Sequence, residues 1–414
     1  MSGSIKLKHA SGNGVIISAP SSNPASDRTL TLPSDADGTI VSKDTSNNVE
    51  GIASINGGAI GTKNLFINGK MMISERGSSA TANGYGTVDR WASTYDGLDE
   101  APTQAQVDVA SGTTPYNLGL RKAFKITNGN QTSGAGAADY INFHQKIEGK
   151  DIWSSGWNYS SGSSYITLSF WIKSSVAQSF YGYLDSITAT RHLYPFETGV
   201  LQANTWTKIT KTISGYSDLT FTNTAAAGLM FILWPMLGTN YTNNSTSFNQ
   251  WNAFGSGDAR FPDVTTTWYT TNDATLEITG CQLEVGSVAS PFVHEPSEET
   301  LRKCQRYFVV LEHQTGGVTE SILNGAQYNA TAAYGVINLP EVMRSTAPTL
   351  SQVTGTDYYL SIGNGSSVAF DNFTLQRASD HNIEISWVSN RGQGNSVWVR
   401  TNAQGARLAV DAEL

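Results

Sequence analysis

The side chains best suited to binding a ligand in this sequence are aromatic, and many lie among Gly, Ser and Asn. The chain has 10 Trp and 17 Tyr in 414 residues. Sugar rings have apolar C–H faces that stack on such rings, while nearby amides, carboxylates and guanidinium groups bind the hydroxyls. The candidate glycan contacts are six residues in loop-like segments: Trp153, Trp157, Tyr159, Trp251, Trp268 and Tyr269. The alternative is that these rings pack in the core or between subunits.

The residues suited to catalysis form no recognisable motif. The six His are scattered, without the spacing of a metal site, and are interpreted as polar surface or turn residues. Glycoside hydrolysis needs two facing carboxylates. Candidate groups are Asp96/Asp99/Glu100, Asp258/Asp263 and Glu277/Glu284. Because the chain has 34 acidic residues, such groupings arise by chance, and we expect neither an enzyme nor a cofactor. Loop oxygens at 96–100 leave a structural Ca²⁺ as an alternative.

The overall composition predicts an all-β protein. Gly is abundant at 40 residues, aromatic residues make up 10%, and charged residues only 14%. The net charge of −8 argues against nucleic-acid binding. Without an apolar run of 18 residues we expect no membrane insertion, and the first residues lack the apolar core of a signal peptide. The two cysteines, Cys281 and Cys304, are expected to be free thiols.

The N-terminal part is predicted to hold a small β module over residues 1–45. Its short apolar runs, Gly14–Ser18, Arg28–Pro33 and Thr39–Ser42, are separated by turn-forming residues. Three short strands bury little surface alone, so the module should need a partner. Residues 46–63, rich in Ser, Asn and Gly, are interpreted as a linker.

Residues 64–293 are predicted to form a jelly roll or β-sandwich. In its central strand, Tyr165–Lys173, apolar and polar residues alternate, so Ile166, Leu168, Phe170 and Ile172 should face the core of a half-buried strand. Further strands are predicted at Lys122–Thr127, Tyr140–His144, Ser179–Leu184, Trp206–Ile213, Gly228–Trp234 and Thr275–Leu283.

A short linking helix is predicted over 294–306, followed by a C-terminal β-sandwich over 307–414. The helix has paired Glu after Pro296 and Ser297 and basic residues at its end, which is the order that favours the helix dipole. About seven strand-like segments follow in about 105 residues, which is typical of a small sandwich.

Several motifs, taken in order, resemble a domain common in tail fibre and virion structural proteins of tailed bacteriophages, in particular marine phages. They are Asn64–Gly69, Glu75–Gly77, Val88–Trp91, Leu168–Lys173, Ile278–Gly286 and Ser290–Phe308. Segments at both ends also resemble phage fibre proteins: Ile5–Lys8, Leu30–Val41, Ile337–Arg344, Ala347–Thr349 and Leu408–Leu414. Cys281 departs from the family, which more often has an aliphatic residue there.

The resemblance implies a jelly roll of carbohydrate-binding-module type that is usually a homotrimer and often binds a receptor. It implies a virion location, with residues 1–45 attached to a phage tail or virion protein and the β domains contacting host-surface polysaccharide. The motifs look structural, so they transfer no catalytic residue. Two alternatives stay open: a purely structural virion protein without glycan specificity and, less favoured, a polysaccharide depolymerase.

Overall fold

The computed structural model describes residues 64–414 except 244–245, 255–259, 315, 317–318 and 356, and the backbone of four short strands before them. The chain divides into two compact units, Met1–Ile52 and Ala53–Leu414. In the first, β1 (Ser4–Lys8) pairs antiparallel with β2 (Gly14–Ser18), which confirms the strand predicted there. The strands predicted at Arg28–Pro33 and Thr39–Ser42 lie outside the described residues. In the predicted linker, β3 (Ser54–Ile55) pairs with β4 (Gly58–Ala59).

The second unit begins with two six-stranded antiparallel sheets. Their elements are β5 (Ser79–Ala80), β6 (Ala92–Asp96), β7 (Thr103–Asp108), α1 (Thr114–Asn117), β8 (Lys122–Thr127), β9 (Tyr140–Glu148), α2 (Gly149–Trp153), β10 (Tyr165–Ser174), β11 (Ser179–Ser186), β12 (His192–Val200), β13 (Thr207–Ser214), β14 (Ala227–Leu237), β15 (Asn252–Ala253) and β16 (Thr275–Val285). The strand orders are β13-β10-β16-β8-β7-β5 and β15-β12-β11-β14-β9-β6. The sheets pack face to face, and Phe170 of one meets Phe231 of the other with ring centroids 5.5 Å apart. The predicted all-β fold is confirmed.

Strand β10 has the predicted core face, but its opposite face is less exposed to water than predicted. Its four alternating apolar residues are fully buried. On the opposite face Thr167 and Ser169 are also buried. Thr167 Oγ1 donates to the carbonyl of Gly286 at 2.8 Å, and the neighbouring strand β16 contributes Glu284, whose carboxylate accepts hydrogen bonds from Ser290. The segment after β16 therefore folds back over part of this face, whereas Trp171 and Lys173 farther along the strand are partly exposed, as predicted.

The predicted linking helix is present as α3 (Ser297–Gln305), with Glu298 and Glu299 in its first turn and Arg302 and Lys303 in its last. After it come β17 (Phe308–His313), β18 (Ser321–Gln327), β19 (Ala332–Asn338), β20 (Thr349–Gln352), β21 (Tyr359–Gly363), β22 (Ser366–Phe370), β23 (Thr374–Ala378), β24 (Asn382–Val388), β25 (Ser396–Thr401) and β26 (Arg407–Asp411). They form sheets in the orders β17-β26-β20 and β22-β21-β25-β18-β19-β24-β23, which share a core built around Trp387.

The sandwich before α3 and the strands after it meet at a buried, charged contact, here called the seam. Arg90 is 1% exposed and pairs with Glu413, while its other guanidinium nitrogen donates to the carbonyl of Lys146 at 2.7 Å. Its guanidinium carbon lies 3.4 Å from the ring centroid of Tyr307. Burial by itself would lower the pKa of Arg90, but Glu413 together with Tyr307 and Tyr85 outweighs this, and the pKa is raised. The buried cation is therefore held in its charged form by a residue from the other end of the second unit.

Two further groups of contacts extend the seam. Arg76 donates to Asp411 at 2.7 Å and lies 3.8 Å from the ring centroid of Phe308. Burial favours a raised pKa for Glu148, but hydrogen bonds from Arg306 at 2.8 and 3.0 Å and from the Tyr307 hydroxyl at 2.5 Å lower it. The motifs Glu75–Gly77 and Val88–Trp91 thus supply the seam, while Trp91 itself packs in the sandwich core.

Two negative findings apply only to the described part of the chain. No helix in it has the length and apolarity needed to cross a bilayer. Cys281 and Cys304 are both buried and form no disulfide.

The seam predicts a large stability cost for Glu413→Gln. The substitution leaves the Arg90 guanidinium buried without a counter-charge, and breaking a buried pair in this way typically costs about 3–5 kcal/mol. Urea denaturation of the full chain measures the free energy of unfolding. Arg377→Gln is the matched control, because Arg377 forms a surface pair with Glu384 and its side chain is 85% exposed, which is worth at most about 1 kcal/mol. If both substitutions lowered the free energy of unfolding by the same amount, the prediction that the Arg90–Glu413 pair stabilises the fold would be wrong.

The buried carboxyl group of Asp89 should make the free energy of unfolding depend on pH. Burial raises its pKa from 3.8 to about 7. The folded state therefore holds this proton more tightly than the unfolded chain, and the stability from this group is lost as the pH rises from about 4 to about 7. Asp89→Asn does not ionise, so its free energy of unfolding relative to the native protein should increase between pH 5 and pH 8. Asp108→Asn is the control, because the Asp108 side chain is 82% exposed. The free energy of unfolding of this variant relative to the native protein should stay constant between pH 5 and pH 8.

Candidate functional site

The outer face of the sheet β15-β12-β11-β14-β9-β6 carries large apolar and aromatic side chains. Along β14, Leu229, Phe231 and Leu233 point into the sandwich core, whereas Ile232 and Trp234 belong to a separate apolar cluster on the other face. Strands with one face in water normally carry polar residues there. An apolar outer face must be covered or used for binding.

Strand pairing brings these outer residues into rows across the sheet. One row runs from Tyr183 on β11 through Ile232 on β14 to His144 on β9. In the next, Tyr181 lies opposite Trp234. The ring of Tyr140, at the start of β9, meets Trp234 edge-on at 5.9 Å.

Part of this face is covered by the long connection between β14 and β16. Within it, Phe248 stacks on Tyr181 with ring centroids 5.6 Å apart and planes 8° from parallel. Phe261 stacks on the same ring at 5.3 Å and is fully buried. The connection therefore serves as a lid over the β11–β12 side and leaves the β14–β9–β6 side open.

The open part forms a cleft of about 500 Å³. The rings of Tyr85, Tyr140, Tyr183, Trp234 and Tyr241 line it, together with aliphatic residues of β14. Its volume lies within the range of small-molecule sites, and its composition fits one, since such sites are mainly apolar with a few polar groups that orient the ligand.

The polar residues on the cleft floor are held in defined orientations. Asn142 donates from Nδ2 to Thr94 at 2.7 Å, so its Oδ1 must be the acceptor for His144 Nδ1–H at 2.9 Å. Burial lowers the pKa of His144 to about 3, so the ring is neutral near pH 7 and its Nε2 is an acceptor. The expectation that the histidines are surface or turn residues was wrong for His144 and for His192, which are 7% and 5% exposed.

Three residues of the cleft carry nitrogen groups that can only donate. Lys146 Nζ donates to the carbonyl oxygen of Leu414 at 2.8 Å. Trp234 Nε1 and Arg260 Nε are buried and have no hydrogen-bond partner among the described residues. The Arg260 guanidinium lies 5.1 Å from the ring centroid of Tyr241, which places the cation beside the aromatic wall.

The six aromatic residues singled out from the sequence lie elsewhere, and the structure does not bring them into one site, although Trp157 and Tyr159 meet edge-on with ring centroids 6.2 Å apart. Trp153, at the end of α2, is 52% exposed, and Tyr159 is half-buried against Phe221. The other four pack in the sandwich core, each with its polar atom satisfied: Trp157 to Ser164, Trp251 to Ser214, Trp268 to Thr275 and Tyr269 to Asp139.

The candidate carboxylates make local contacts. Glu277 pairs with Lys173 at 2.9 Å, Glu284 accepts from Ser290, and Asp99 accepts from the backbone and side chain of Ser133. Asp258 lies outside the described residues. Over the described ranges, no group of three or more His, Cys, Asp or Glu is arranged to hold a metal ion.

Comparison with known proteins finds weak structural likenesses only. No family model matches the chain. No curated protein matches it either. Among solved structures, the chain is similar to a protein from Bacteroides thetaiotaomicron described as sugar-binding, at 13% identity and a TM-score of 0.29 over 54% of this chain and 100% of the other. It is also similar to a CBM4 structure at 14% identity and 0.27 over 53% and 97%.

A third likeness is to a family 11 carbohydrate-binding module from Clostridium thermocellum in complex with a β-1,3-1,4-mixed-linked tetrasaccharide. It has 11% identity and a TM-score of 0.22 over 51% of this chain and 98% of the module. These TM-scores all lie below 0.5, so the likenesses carry no inference about what this chain binds.

Because Trp268 is buried and Trp153 is half-exposed, we expect Trp→Ala substitutions at these two positions to lower the free energy of unfolding by different amounts. Trp268→Ala leaves a large cavity in the sandwich core and should lower the free energy of unfolding by about 3–5 kcal/mol. Trp153→Ala removes a half-exposed ring and should change it by about 0.5 kcal/mol or less. Urea denaturation measures both. A large loss for Trp153→Ala would show that its ring is covered in solution.

Proposed function

We propose that the chain is a non-catalytic glycan-binding protein that binds a saccharide in the cleft on the outer face of β14, β9 and β6. The observation that carries the proposal is the cleft itself. It combines an aromatic floor that suits the C–H faces of sugar rings with buried donors and a neutral histidine acceptor that suit hydroxyls. Such a site needs no metal and no catalytic residue.

The more specific part of the proposal is that the protein is a phage tail fibre or receptor-binding protein. The ordered sequence motifs between Asn64 and Phe308 support it, as do the segments at both ends that resemble phage fibre proteins. In this role residues 1–45 attach to a tail or virion protein, and the β domains contact host-surface polysaccharide. Binding by each copy is shallow, and a homotrimer supplies avidity.

The cleft predicts that Tyr140→Ala weakens glycan binding by about tenfold, because loss of one stacking ring typically costs about 1–2 kcal/mol. Tyr140 suits this test because it is half-buried and lies at the start of its strand, so folding should survive. Binding of the fluorescently labelled full chain to a glycan array and to purified envelope polysaccharide is the measurement. Tyr328→Ala is the matched control, since Tyr328 is 61% exposed and lies in the C-terminal strands.

Three outcomes decide between the functions. Glycan binding that Tyr140→Ala weakens and Tyr328→Ala does not supports the cleft. Binding to no glycan and no inhibition of phage adsorption by the full chain at high concentration would favour a purely structural role. Release of reducing ends from a bound polysaccharide would identify a depolymerase and overturn the non-catalytic proposal.

A further inference from the structure

The residues that line the cleft include nitrogen groups that can only donate, beside tyrosine hydroxyls that can both donate and accept. Trp234 Nε1 and Arg260 Nε each donate only, and neither has a partner among the described residues. Lys146 uses one donor on Leu414, and an ammonium group carries three. Against these, His144 Nε2 is the acceptor of a neutral ring. The Arg260 and Lys146 side chains can only donate, so the cleft suits a ligand that offers acceptors.

The charged residues that line the cleft are basic. Lys146 and Arg260 are among the lining residues, and no Asp or Glu is. Of the acidic residues close to the cleft, Asp185, opposite Met230, accepts from Arg191 at 2.8 and 2.5 Å, and Glu413 pairs with Arg90, whereas Asp96, opposite Tyr140, is exposed on the edge strand β6. The cleft is thus a local basic site on a chain whose net charge is −8.

We propose that the saccharide bound in the cleft is anionic and carries a carboxylate or sulfate group that pairs with the Arg260 guanidinium. This inference rests on the proposed glycan-binding function and narrows its ligand class. A planar guanidinium binds such groups strongly, and its charge gains strength in a partly desolvated cleft. The aromatic rings contact the sugar face while the cation binds the acidic substituent, so the same cleft recognises both features of the ligand.

The test compares pairs of probes that differ in charge alone. Oligogalacturonate and its methyl ester share a backbone, as do dextran sulfate and dextran. Binding of the full chain is measured by calorimetry at pH 7 and 0.15 M NaCl. At least one anionic probe should bind at least about tenfold more tightly than its neutral partner, with an affinity that falls as salt increases. The first pair reports a carboxylate and the second a sulfate. Because the whole chain is acidic, non-specific attraction of polyanions is disfavoured.

Two substitutions separate charge recognition from ring stacking. Arg260→Gln should weaken binding of the preferred anionic probe about tenfold and leave any binding of its neutral partner unchanged. Arg377→Gln repeats the chemistry at an exposed site outside the cleft and should have no effect. Thermal melts confirm that each variant is folded.

Each outcome has a distinct meaning. If the methyl ester or dextran binds as tightly as its anionic partner, the anionic inference fails while glycan binding stands. Binding of none of the four probes, with a neutral glycan bound on the array, overturns it equally. If Arg260→Gln and Arg377→Gln weaken the anionic probe alike, the site of recognition is not the cleft. Absence of any glycan binding rejects the proposed function itself.

Discussion

The buried ion pair between Arg90 and Glu413 is the interaction on which the second unit depends most. Both side chains are almost inaccessible, and each would be costly to bury without the other. Arg90 adopts a positive backbone φ of 72°, which is uncommon outside glycine, so the chain accepts local strain to place this guanidinium. The strands before and after α3 consequently share one charged seam.

The seam and the cleft are physically connected. Arg90 donates to the backbone of Lys146, and Lys146 lines the cleft and donates to Leu414. Tyr85 lines the cleft and lies edge-on to His144 at 6.2 Å, while the Arg76 guanidinium is 5.5 Å from its ring centroid. One wall of the cleft is therefore positioned by contacts with the C-terminal residues. Rigid support of this kind lowers the entropy cost of binding a ligand.

The six aromatic candidates show why residue context alone does not determine whether a ring is exposed. Trp157, Trp251, Trp268 and Tyr269 lie among polar, loop-forming residues in the sequence, yet their rings fold into the sandwich core. Each indole or hydroxyl reaches an oxygen close to the core edge, so a polar neighbourhood and full burial are compatible. The cleft residues on β11 and β14 carried a different signal, namely large apolar or aromatic side chains at both odd and even positions of the strand.

Alternation, turn residues and helix-end charges determined the strand content, the short helix and the core face of β10, because these depend on local sequence. Arg90 and Glu413 are 323 positions apart, and no local pattern pairs them. Which part of the outer face stays open was likewise decided by tertiary structure, since Phe248 and Phe261 of the connection between β14 and β16 stack on Tyr181, while Tyr140 lines the cleft. A side-chain period of two specifies that a strand has two faces, whereas only the packing of distant segments specifies which of them meets water.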